Sequence, residues 1–127
     1  WSFTAGLLEA AAQVLMDHAA VLLLSFDLPY PQPMHPQRPI HGTLGIALLL
    51  AREQGMQAMA RLDMEIISAP TAPTPCTDVE LERLRANNPT GRALPLLATL
   101  AQGADGDVAV EYVAQQTLQV RVTNLQT

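Results

Sequence analysis

The chain contains no lysine. Its seven basic residues are all arginines, set against twelve acidic ones, for a net charge of −5. Scattered arginines in an acidic chain make no basic stripe for a nucleic-acid backbone or an anionic membrane, so both partner classes are set aside. Cysteine is down to one, Cys76, which excludes an internal disulfide and a cysteine-built zinc site. Such usage fits a reducing, cytoplasmic setting, and that is the expected location. Aromatic residues make up only 4% of the chain, so the core must be aliphatic, and an apolar content of 49% is enough to build one. No membrane span is expected, because Asp17 and His18 interrupt the one long apolar stretch. The first residues, Trp-Ser-Phe, show no initiator methionine and no basic segment leading into an apolar one. No signal peptide is therefore expected, and the numbering is expected to begin inside a domain. G-x-S-x-G, the P-loop, the dinucleotide-binding glycine set and H-E-x-x-H are all missing.

What is present is organised around Val21-Leu22-Leu23-Leu24-Ser25-Phe26-Asp27. A run this apolar and this short reads as a strand buried on both faces. A second such run, Thr43 to Leu50, follows a segment with five prolines between Leu28 and Pro39. Two neighbouring strands of this kind call for cover on both faces, and 127 residues cannot supply all of it. The chain thus reads as part of a larger α/β body, whose open edge a further segment or another copy must cover. The prolines forbid regular helix and ladder and favour extended or polyproline II geometry, giving a stiff loop between the strands. Tyr30, Met34, His35 and Arg38 on that loop are the candidate recognition surface.

Before the first strand, Leu7, Leu8, Ala11, Val14 and Leu15 mark one face of a helix over Phe3 to Asp17, with Ser2 or Thr4 as cap. After the second, Arg52 to Gly55 reads as a hairpin turn. Met56 to Ile67 alternates as a half-solvated strand, antiparallel to its predecessor. Thr77-Asp78-Val79-Glu80 is a capping box opening a helix from Val79 to Asn87. A turn over Thr90–Ala93 leads to a helix from Leu94 to Gln102, with Pro95 in its first turn. Val108, Val110, Tyr112 and then Leu118, Val120, Val122 alternate as a final β-hairpin through Ala114–Thr117.

Candidate chemistry is sparse. His35 and His41 could ligate a metal with Asp27, but nothing in their spacing demands it. Asp63 and Glu65 share a solvated strand face. Asp27 ends an apolar strand, where either a functional carboxylate or a loop cap belongs. Cys76 has no His nearby in sequence to activate it, and a catalytic role is not expected of it. No catalytic residue, metal or cofactor is assigned.

The succession of helix, Val-Leu-Leu-Leu-Ser-Phe-Asp, Leu-Pro-Tyr-Pro-Gln-Pro, Arg38-Pro39-Ile40 and Gly-Ile-Ala-Leu-Leu-Leu resembles the β-ketoacyl synthase N-terminal-like family. Asn88-Pro89-Thr90-Gly91-Arg92-Ala93-Leu94-Pro95-Leu96-Leu97 resembles that family's second half. Its members are short thiolase-fold proteins of bacterial aryl polyene clusters, and the likeness covers the C-terminal part of a member. It implies a partial thiolase-like layered α/β fold: a mixed sheet with helices packed on it and a C-terminal β-hairpin. Residues 1–67 would form the thiolase-like part and 77–127 a helical and hairpin extension. The family's nucleophile slot would fall at Trp1–Ser2 or just before, where no cysteine stands. The resemblance therefore implies a non-catalytic chain-length factor. Its partners would be a catalytic ketosynthase, as a heterodimer or by self-association, and an acyl carrier protein. Phe3, Leu7, Ala11, Tyr30, Met34, His35 and Arg38 would contact the partner or the acyl tunnel. The alternatives are an active condensing enzyme with its nucleophile upstream, and a stand-alone binding or scaffold domain.

Overall fold

Alanine-rich sequence with no proline before residue 29 favours helix from the first residues on. In the computed structural model, which describes residues 2–69 and 71–126, helix α1 spans Ser2–Asp17. It buries Phe3, Thr4, Leu7, Ala10 and Val14. This face is rotated from the expected one, since Leu15 is exposed and Leu8 and Ala11 are only half-buried. Gly6 sits where a Cβ would come within 3.1 Å of a Leu23 methyl, so α1 lies close on the strand that follows. Neither expected cap acts as one. Ser2 lies inside the helix, and the Thr4 hydroxyl donates to the Glu111 carbonyl at 2.7 Å, tying the start of α1 to a distant strand.

Strands β1 (Val21–Asp27) and β2 (Leu44–Leu50) pair antiparallel in a two-stranded sheet, from Val21↔Leu50 to Asp27↔Leu44. Their adjacency matches the expectation; their cover does not. Leu23, Ile46, Leu48 and Leu50 pack inward on the core, whereas Leu22, Leu24, Phe26 and Leu49 face out and are exposed. The strands are buried on one face only.

The single mixed sheet is also replaced. The described strands form two antiparallel sheets, β1–β2 and a second in the order β3–β5–β4. β3 is Ala60–Ile67, and it pairs with β5 (Thr117–Asn124) instead of β2. Arg52–Gly55 is therefore no hairpin turn but part of the crossing between sheets, where Ala58 N–H bonds to the Gly55 carbonyl at 3.1 Å. Alternation in a strand names the face that is buried and leaves the partner open.

The proline segment is not extended. Met34 and His35 N–H both bond to the Pro31 carbonyl, and Gln37 and Arg38 N–H both bond to the Met34 carbonyl. These are consecutive tight turns, which fixed proline φ angles also permit. Helix α2 (Val79–Asn87) has the expected bounds but a shifted cap. Asp78, not Thr77, accepts from the Leu81 N–H at 2.9 Å. A 3₁₀ helix at Thr90–Ala93 runs into α3 (Leu94–Ala101), with Pro95 in its first turn as expected. Strand β4 (Gly106–Glu111) pairs with β5 as the predicted hairpin.

The result is a small mixed α/β domain. α1 and the 3₁₀ helix pack on β1–β2, and α3 packs on β4 and β5. One core unites them through Phe3, Leu7, Leu96, Val108, Leu118 and Val120. No helix among the described residues is long and apolar enough to cross a membrane.

Candidate functional site

Buried polar groups gather at the C-terminal end of β1. The Asp27 carboxylate accepts from the Thr90 N–H at 2.7 Å, and Ser25 Oγ lies 2.9 Å from Thr90 Oγ1. A 3₁₀ helix begins with N–H groups that lack partners within the helix, and an anion from another element is a strong acceptor for one of them. Beside this pair, the Asn88 side chain brackets the main chain of His41. Its Oδ1 accepts from His41 N–H at 2.9 Å, and its Nδ2 donates to the His41 carbonyl at 3.2 Å. Asp27, Asn88 and Thr90 are buried. Both ends of the proline loop are thus fastened to the segment Asn88–Thr90. Asp27 serves here as a cap across elements.

The expected contact residues divide. Met34, His35 and Arg38 ride on the tight turns of the loop, and Tyr30 lies just before them. Met34 and Arg38 are exposed, and Tyr30 and His35 are half-buried. His35 Nδ1 is buried with no hydrogen-bond partner among the described residues. Phe3 and Leu7 lie inside the chain's own core at 1% and 0% exposure, and Ala11 is half-buried on α1. The slot at Trp1–Ser2 lies partly outside the described residues; Ser2 itself is exposed at the start of α1. Among the described residues, no group of three or more His, Cys, Asp and Glu could hold a metal ion.

Cys76 stands apart from this site. Its N–H donates to a Glu82 carboxylate oxygen at 2.7 Å, and burial followed by the Glu82 charge pushes its thiol up from the ordinary value. A thiol so raised carries little thiolate near neutral pH and makes a poor nucleophile. Glu82 moves the other way. Arg85 donates to both its oxygens, at 2.8 and 2.6 Å, and this pairing, followed by the Cys76 N–H, lowers it to about 2.

The two apolar strands are expected from sequence to need more cover than the chain supplies, and their outer face is open, with Leu22, Leu24, Phe26 and Leu49 exposed. Between α1 and β1 runs a shallow, open groove of about 400 Å³, lined by Gly6, Glu9, Ala10, Gln13 and Val21 to Leu24. Unbroken apolar runs ask for cover on both faces, and one layer of helices covers one.

No family model, curated protein or solved structure matches the chain.

Proposed function

We propose that the chain is a ketosynthase-like subunit that forms no acyl bond itself and pairs with a catalytic ketosynthase, as a chain-length factor does in fatty-acyl or aryl polyene assembly. The observation that carries this reading is the meeting of the two stretches that bear the resemblance. The end of β1 together with the loop after it, and the segment Asn88-Pro89-Thr90, lie far apart in sequence yet are joined by four hydrogen bonds, two at Ser25 and Asp27 and two at the His41 main chain. One structural module would bring its signature residues together in this way. A carbon–carbon condensation needs a thiolate and donors placed for the oxyanion. In this module the Ser25 and Thr90 hydroxyls pair with each other and the Asp27 carboxylate takes the Thr90 N–H, while burial raises the Cys76 thiol. A partial thiolase-like layering accounts for apolar strands backed by helices on one side. Met34 and Arg38 at the crest of the loop are the contacts assigned to the ketosynthase or its carrier protein.

The test is to incubate the purified chain with malonyl- and acyl-loaded carrier protein, alone and with a ketosynthase. Alone it forms no condensation product; with the ketosynthase it co-elutes and shifts the product length. Condensation by the chain alone overturns the reading. Failure to bind both ketosynthase and carrier overturns it in favour of a stand-alone scaffold domain.

A further inference from the structure

The two sheets end in different ways. β3, at one margin of its sheet, carries Arg61, Asp63 and Glu65 on its exposed side, and such charges discourage strand addition. β4, at the other margin, is covered by Thr74. The Thr74 N–H bonds to the Ala109 carbonyl at 3.0 Å, and its hydroxyl accepts from the Ala109 N–H at 2.8 Å. The β1–β2 sheet has neither device on its outer face. That face consists of the cross-strand pairs Leu22↔Leu49, Leu24↔Ala47 and Phe26↔Gly45, with no polar side chain among them.

We propose that this face is the interface of a two-fold homodimer, in which a second copy of the chain lays its own β1–β2 face upon it. Leu22, Leu24, Phe26 and Leu49 are 57%, 61%, 70% and 73% exposed, and Leu28 just beyond the strand is 57% exposed. With Phe26 at about 200 Å² and each leucine at about 150 Å², the low end of the aromatic range, these leave on the order of 500 Å² open. That is toward the upper end of the patches seen on monomers, ~300–600 Å², and makes up the larger part of the ~800 Å² per partner that a specific dimer buries.

The composition of the face selects the occupant. Transient partners meet on surfaces no more apolar than the average, whereas permanent homodimers meet on surfaces that resemble a core cut in half. A two-fold contact also sets each patch against its own copy, so any charge on it would meet its like. In a chain of net charge −5 this face carries no charge of either sign. Two such sheets would stack like the halves of a β-sandwich. The inference does not depend on the chain serving a ketosynthase.

Light scattering and sedimentation equilibrium on the whole chain test it. The expected result is a discrete species of twice the 13.7 kDa chain mass. Leu24, central on β1 and exposed in the single chain, is the position to change. Leu24→Lys and Leu24→Glu each weaken the dimer by ~100-fold or more through like-charge contact, with unchanged far-ultraviolet circular dichroism. Mixing the two variants restores association. A monomeric wild type, a polydisperse aggregate, or variants that dimerise like wild type overturn the proposal. So does a monomeric wild type whose ketosynthase binding is lost in Leu24→Lys, which assigns the face to a different partner.

Discussion

At the level of single residues, the closest fits lie where the 3₁₀ helix meets its neighbours. Asp27→Ala removes the acceptor of a buried N–H and leaves Thr90 with no partner for it. Such an orphan costs about 1–3 kcal/mol, or a melting temperature lower by roughly 3–12 °C for a chain of this size. Ser25→Ala removes a neutral partner of Thr90 Oγ1 and should cost less. Gly91 is tighter still. A Cβ there would run into the Leu84 carbonyl oxygen and come within 2.9 Å of Arg85 Cα, both main-chain atoms of α2 that cannot swing aside. Gly91→Ala is expected to destabilise by about 2–3 kcal/mol or more. Thermal melts of the three variants should rank Gly91→Ala and Asp27→Ala well below Ser25→Ala, and equal melting temperatures would refute the ranking. Glu82 gives a pH signature. Its pKa is lowered to about 2 in the fold, so its contribution is present above the unfolded value of about 4.5 and is lost as the pH falls from there toward 2. Glu82→Gln should flatten the decline of the urea midpoint across that window while leaving its slope above pH 5 unchanged.

Among the elements, the β4–β5 hairpin turns on a strained link. Tyr112 N–H bonds to the Gln116 carbonyl at 3.1 Å and Gln116 N–H to the Val113 carbonyl at 2.9 Å. The central pair, Ala114 and Gln115, have φ of 50° and 65°. Turns of this hand suit strand twist but favour Asn and Gly, and each ordinary residue at positive φ costs about 1 kcal/mol. Ala114→Asn with Gln115→Gly should therefore raise stability by about 1 kcal/mol, read as a higher urea midpoint with an unchanged m-value; a lower midpoint would contradict the argument. This hairpin also shows what the sequence made legible. Alternating Val108–Tyr112 and Leu118–Val122 identified both strands and their pairing, although the turn lacks its usual residues. The bounds of α2, the run into α3 and the adjacency of β1 and β2 were readable for the same reason: local pattern sets them. The partner of β3 was not, because alternation at Leu62, Met64 and Ile66 fits any neighbour that buries one face. The proline loop departs from its expected extended form because fixed φ angles serve tight turns as well as extended chain. The bonds from Asp27 and Asn88 to Thr90 and His41 could not be seen at all, since their ends are brought together only by the tertiary fold.

Across the whole molecule, the pairing of β3 with β5 decides how the chain holds together. Residues 1–67 and 77–127 read from sequence as a layered part and an extension, but β5 is the central strand of its sheet and one of its two partners comes from the first part. The core has the same mixed origin. Phe3 and Leu7 of α1 are buried with Leu96 of α3, Val108 of β4 and Leu118 and Val120 of β5, and the Thr4 hydroxyl bonds to Glu111 across that boundary. Removing residues 77–127 would strip β3 of its strand partner and uncover the buried side of α1, and too little apolar surface would stay buried to offset the conformational entropy of the rest. A fragment of residues 1–76 is therefore expected to show no cooperative melt. The full chain should unfold in a single transition, with circular dichroism and amide exchange of β1 and β5 giving the same free energy. Two separable transitions, or a fragment 1–76 with protected amides in β1 and β2, would show that the first part folds by itself and that β5 joins it afterwards.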